Sequence, residues 1–127
     1  MEEYECLMYV EFLGARENLS EDIASLFSVV SSDGNVSTDA LEIDVLTNDD
    51  NYFDENVDSL DSIYLTYSFI LDIGSSKSAS KEDFVSSVSK LLEFFWSEGC
   101  PAVARCEFSE LLPYDGEGRQ HQLDIRS

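Results

Sequence analysis

Hydrophobic and polar residues alternate from Tyr4 to Leu13. Tyr4, Cys6, Met8, Val10 and Phe12 fall on one side, and Glu3, Glu5, Leu7, Tyr9 and Glu11 on the other. Period two predicts a strand with one buried face, ended by Gly14. The period then lengthens. Leu19, Ile23, Leu26, Phe27 and Val30 recur at helical spacing, with Ser20-Glu21-Asp22 as the expected N-terminal cap and Asp33-Gly34-Asn35 as the stop. A second strand is expected from Asp39 to Thr47, with Leu41, Ile43 and Val45 inward and Glu42 and Asp44 outward. A third and most apolar one is expected from Ile63 to Ile73. Its inward residues are Ile63, Leu65, Tyr67, Phe69, Leu71 and Ile73.

Ser80-Lys81-Glu82-Asp83 has the form of a capping box, and Ala79 and Phe84 are spaced as a hydrophobic staple. The helix they start continues through Val85, Val88, Leu91, Leu92, Phe95 and Trp96. Gly99 and Pro101 end it. A fourth strand is expected from Ala102 to Leu111, with Ala102, Ala104, Cys106 and Phe108 toward the core. The order β-α-β-β-α-β predicts an α+β fold, specifically a ferredoxin-like βαββαβ sandwich: a four-stranded antiparallel sheet with both helices on one face. The expected strand order is fourth, first, third, second. One domain spans residues 1–127, with an acidic loop at about 48–62 and a flexible polar tail at about 115–127.

Charge changes the picture more than composition does. Hydrophobic residues make up 43% of the 127, as in globular domains, but 27 acids face 7 Lys and Arg, for a net charge of −20. From Glu17 to Ser76 there are fourteen acids and no Lys or Arg. The densest part, Asp44 to Asp61, interleaves seven carboxylates with Tyr52, Phe53, Val57 and Leu60. This field repels nucleic acid and anionic lipid and draws in cationic partners. A basic protein partner is therefore expected, with neither nucleic acid nor membrane bound. The expected binding residues are Asp44, Asp49, Asp50, Tyr52, Phe53, Asp54, Glu55, Asp58 and Asp61, with Glu42 and Tyr64 on the outward sheet face beside them.

Candidate chemistry is sparse. His121, the single histidine, lies in the tail, so no nucleophile and base can be paired, and the chain is not expected to be an enzyme. Asp54-x-Asn56-x-Asp58 begins like a calcium loop, but Ser59 and Leu65 stand where Gly and a bidentate Glu are needed. No metal or cofactor is expected. Cys6, Cys100 and Cys106 make an odd count without a CxxC pair and read as reduced thiols in the cytoplasm. Cys6 and Cys106 are expected to face the core on adjacent strands.

Trp96-Ser-Glu-Gly-Cys-Pro-Ala-Val-Ala-Arg-Cys-Glu-Phe108, with Leu111-Leu-Pro113 after it, resembles small bacterial immunity proteins of contact-dependent growth inhibition and polymorphic toxin systems, as do the size and acidity. The resemblance implies an inhibitor that covers the basic cleft of a cognate toxin, often a nuclease; the chain itself is expected to be cytoplasmic and a monomer or weak dimer. It assigns no binding residues. The competing reading is a ferredoxin-like regulatory or small-molecule-binding module that dimerises through its sheet face.

Overall fold

The computed structural model describes residues 4–48, 67–76 and 79–116. Among these residues five antiparallel strands and two α-helices follow in the order β-α-β-β-β-α-β. They are β1 (Glu5–Val10), α1 (Arg16–Leu26), β2 (Asn35–Ser37), β3 (Leu41–Thr47), β4 (Phe69–Ser75), α2 (Lys81–Ser97) and β5 (Ala102–Arg105). They form one open sheet in the order β2-β3-β4-β1-β5. The fold is α+β as expected, but the sheet has five strands, not four. The added strand, β2, is three residues at the edge, paired to β3 through Val36↔Ile43. It was hidden because Val36 is its one inward residue, too little for a visible alternation. The acids of the 48–62 loop from Asp49 on, and the tail beyond Gly116, lie outside the described residues.

One face of the sheet is buried. Cys6, Met8 and Val10 of β1, Leu41, Ile43 and Val45 of β3, Phe69, Leu71 and Ile73 of β4, and Ala102 and Ala104 of β5 join Leu19 and Ile23 of α1 and Phe84, Val88, Leu91, Leu92 and Phe95 of α2 in a single core. The period-two reading of β1 and β3 and the 3.6 period of α2 thus fall on the face that is covered.

The two helices end alike and begin differently. In α2 the Ser80 hydroxyl accepts the Asp83 N–H at 3.1 Å. At its end Gly99 has φ +77, with Cys100 N–H donating to the Phe95 carbonyl at 2.8 Å and Gly99 N–H to that of Trp96 at 3.1 Å. This is a Schellman motif. Helix α1 ends in the same motif, with Val29 N–H to Ala24 at 2.9 Å and Ser28 N–H to Ser25 at 3.2 Å, but serine occupies the left-handed position at φ 57. It therefore stops at Leu26, short of the expected Val30.

Its start corrects the expectation at Ser20. The helix begins at Arg16, and the Asn18 side chain accepts the Ala15 N–H at 3.3 Å. Ser20 is a buried residue one turn further on, whose hydroxyl donates to the Arg16 carbonyl at 3.0 Å. A serine can satisfy its hydroxyl inside a helix this way, so a Ser-Glu-Asp triplet need not be a start. Arg16 also fastens α1 to the sheet: Nε donates to the Val45 carbonyl at 2.6 Å and Nη2 to that of Asp33 at 3.1 Å. Gly34, at φ +82, makes room for it, because a Cβ there would fall 1.9 Å from Nη2.

The other strands also have revised limits. β1 closes at Val10, not Leu13. β4 starts at Phe69 and reaches Ser75, so Gly74 is a strand residue, while residues 63–66 lie outside the described ones. β5 ends at Arg105, not Leu111, and is followed by two 3-10 turns, Ser109–Leu111 and Pro113–Gly116. Phe108 and Leu112 turn inward at the end of the core, and the Phe108 ring meets that of Phe84 edge-on at 5.4 Å. Gly116 sits against β5, where a Cβ would lie 2.8 Å from the Ala104 carbonyl oxygen. Residues 115 and 116 thus belong to the folded part, not to the tail.

Candidate binding face

Among the described residues no helix covers the opposite face of the sheet, and the strand register arranges its side chains in three rows. The first crosses the sheet as Val103, Tyr9, Ile70 and Leu46, the second as Arg105, Leu7, Asp72, Asp44 and Asn35, and the third as Glu5, Gly74, Glu42 and Ser37. The first row is apolar. The other two hold four carboxylates against one guanidinium.

Each carboxylate is placed by strand alternation, since Asp44 and Glu42 project outward from β3 between buried Leu41, Ile43 and Val45. Asp72 does the same from β4 and directly opposes Asp44. Like charges at directly opposed positions destabilise a sheet. Uncharged neighbours supply the hydrogen bonds: Asn35 Nδ2 donates to Asp44 Oδ1 at 2.8 Å, and the Ser37 hydroxyl to Glu42 Oε2 at 2.6 Å. In the third row Gly74 lies between Glu5 and Glu42. A Cβ on Gly74 would meet nothing within 4 Å. With neighbouring strands about 4.8 Å apart, the two glutamates flank a bare strip of backbone about 10 Å across. This notch has the width and charge to take a lysine or arginine side chain.

The apolar row lies where the acidic segment departs. β3 ends at Thr47, and the chain returns at Tyr67 and Ser68 before β4. The two ends are tied together, as Asn48 N–H donates to the Ser68 carbonyl at 2.9 Å and Asn48 Nδ2 to that of Tyr67 at 2.8 Å. Close by, the Ser68 hydroxyl donates to Glu11 Oε2 at 2.6 Å.

Among the expected binding residues, Glu42 and Asp44 lie on the open face as foreseen. Asp49, Asp50, Tyr52, Phe53, Asp54, Glu55, Asp58, Asp61 and Tyr64 lie outside the described residues, as does His121. Sequence reasoning did not include Asp72, Leu7, Ile70, Leu46 or the Gly74 notch in the site. Alternation had already turned Leu7, Ile70 and Asp72 outward; what it lacks is register, which alone sets Asp72 beside Asp44.

Recesses among the described residues include one at an end of this face and one on the helix side. One, of about 460 Å³, lies at the β1–β5 end and is bordered by Tyr4, Cys6, Arg105, Cys106, Glu107 and Phe108. The other, of about 560 Å³, lies between the end of α1, the β2–β3 turn and α2, and carries Ser28, Thr38, Asp39 and Ser87 around Lys90, whose ammonium stands 5.2 Å from the Phe27 ring centroid. Among the described residues no group of three or more His, Cys, Asp and Glu could hold a metal ion, and no helix is long and apolar enough to cross a membrane. The chain matches no protein-family model, no curated protein and no solved structure.

Proposed function

We propose that this chain is an acidic inhibitor, of the kind a bacterium makes as immunity against its own toxin, and that its open sheet face together with the 49–61 segment covers a basic cleft on a protein partner such as a nuclease domain. The observation that carries this reading is the opposed pair Asp44 and Asp72, flanked by Glu42 and Glu5, on a face that no helix among the described residues covers. An arrangement that weakens the free protein gains its compensation when a cationic surface neutralises it. The apolar row supplies the other half of an interface: Tyr9, Ile70, Leu46 and Leu7 are apolar contacts that a partner can desolvate, as buried interface cores require.

The size of the face supports joint use with the acidic segment. Five strands about 4.8 Å apart and three rows about 7 Å apart give a footprint of roughly 400 Å², half of the ~800 Å² that a stable complex buries on each partner. The chain leaves the described residues at Asn48 and returns at Tyr67, both beside the apolar row, and the intervening sequence carries six more acids. The fold is, in this reading, a ferredoxin-like sandwich with β2 added at one edge, because β5-β1-β4-β3 follow the order of that arrangement. The protein has no activity of its own and acts in the cytoplasm.

Coexpression with the toxin-like gene next to its own tests the proposal. Protection of the host, together with a complex stable on gel filtration that weakens with salt, is the expected result. A neighbouring operon of metabolic enzymes, or a toxic neighbour that the chain neither binds nor restrains, would overturn it. The apolar row also permits self-association through the same face. That contact would oppose acid to acid, so a dimer would tighten with salt, whereas a complex with a basic partner would loosen.

A further inference from the structure

The β1–β5 end of the molecule holds two thiols on facing strands. The register pairs Leu7 with Arg105 and Met8 with Ala104, and carried one step past the end of β5 it would set Cys6 opposite Cys106. Hydrogen-bonded and non-hydrogen-bonded pairs alternate along an antiparallel ladder. Glu11 N–H donates to the Pro101 carbonyl at 2.9 Å, which marks that pair as hydrogen-bonded. Five steps away, the continued register would give Cys6 and Cys106 a position of the other kind, where Cα atoms approach to about 4.5 Å and side chains lie closest. That spacing is inside the range a disulfide spans.

The sulfurs are already in hydrogen-bond contact, and none of the three cysteines is in a disulfide. Cys6 is buried and Cys106 half-buried, and both border the 460 Å³ recess, which gives a small molecule access to them. From these positions we propose that Cys6 and Cys106 are a modification site: a dithiol that a low-molecular-weight disulfide converts into a cross-strand disulfide between β1 and β5.

The reaction proceeds by two exchanges. The Cys106 sulfur, as thiolate, attacks one sulfur of the small disulfide, forms a mixed disulfide and expels one thiolate. Cys6 then gives its proton to solvent and attacks the Cys106 sulfur, expelling the second thiol. The protein loses two hydrogens and two electrons, and the small disulfide is reduced to two thiols. The order follows from exposure, and the contact with Cys106 and burial both hold the Cys6 thiol well above its ordinary range, so Cys6 is the resolving group. Cys100 is a poor competitor. Burial and the nearby Glu98 and Asp22 charges push its thiol up and disfavour the reactive thiolate.

The consequence is mechanical, because among the described residues β1 is the only strand that β5 pairs with. A bond there fastens the short C-terminal edge strand to the middle of the sheet and closes a long chain loop, which raises stability.

Incubation of the folded wild-type protein with glutathione disulfide tests this. Expected are loss of two hydrogens by intact mass without a retained glutathione, a non-reducing digest in which the Cys6 and Cys106 peptides are linked, and a Tm raised by roughly 5–15 °C that dithiothreitol reverses. Cys100→Ser should react unchanged, and Cys106→Ser should lose the product. A glutathione adduct that persists on Cys106, a link involving Cys100, a covalent dimer, or thiols that remain intact would each overturn the proposal.

Discussion

The two faces of the sheet are made by the same strands and obey opposite rules. On the covered face Cys6, Met8 and Val10 of β1, Leu41, Ile43 and Val45 of β3 and Phe69, Leu71 and Ile73 of β4 are all apolar and buried, down to no exposure at Met8, Ile43 and Leu71. On the open face the alternate residues of those strands include Glu5, Asp72, Asp44 and Glu42, with Leu7 42% and Leu46 45% exposed. One face settles which fold the chain adopts. The other carries features that folding alone does not call for: exposed leucines, opposed aspartates and a glycine gap between glutamates.

The sharpest way to break this contrast is to truncate equivalent side chains on its two sides. Leu92→Ala, in the helix over the covered face, should cost about 2–5 kcal/mol in denaturant unfolding, as for other buried leucines. Leu46→Ala on the open face should cost well under 1 kcal/mol. Equal losses would mean that the open face is also packed for stability and is not held available for a partner.

Next in size is the clasp that holds α1 over the covered side. Gly34→Ala brings a methyl into the Arg16 guanidinium at a positive φ, so a loss of more than about 1 kcal/mol is expected. Arg16→Ala should then remove most of the added cost of the glycine change in a double-mutant cycle.

The smallest effect is the most diagnostic for function. Asp44→Asn with Asp72→Asn removes a like-charge opposition, so stability should rise by about 0.2–1 kcal/mol. Association with a basic partner should slow and its salt dependence flatten. A destabilised double variant, or one that binds its partner as fast as wild type at low salt, would take the aspartates out of the interface.

Much of the covered face was legible because burial imprints itself on sequence. Alternation found the inward residues of β1, β3 and β4, and the cap, staple and glycine of α2 gave its limits. Where a single local feature stood for an element, reading failed. Ser20 mimicked a cap, and Ser28 holds a position where glycine would have announced the end of α1. β2 offers one inward valine. β5 was overextended because Cys106 and Phe108 continue the apolar rhythm after the strand has ended at Arg105. Half of the binding face was legible as outward acids, but its zoning was not. Whether Asp44 opposes Asp72 or its neighbour depends on pairing across 28 positions of chain, and nothing within either strand encodes it.

The place of β1 in the sheet has a consequence for synthesis. Its partners are β4 and β5, and the nearest paired residue, Phe69, comes 59 positions after Val10. A chain leaving the ribosome N-terminus first can form α1 and the β2–β3 hairpin from local contacts, while Cys6, Met8 and Val10 have no sheet to join. β1 must wait until β4 has emerged, and β5 can pair only once β1 is seated. Such distant pairing slows folding and prolongs the exposure of an apolar strand to neighbouring chains. β1, made before the other four described strands, is thus among the last to be used.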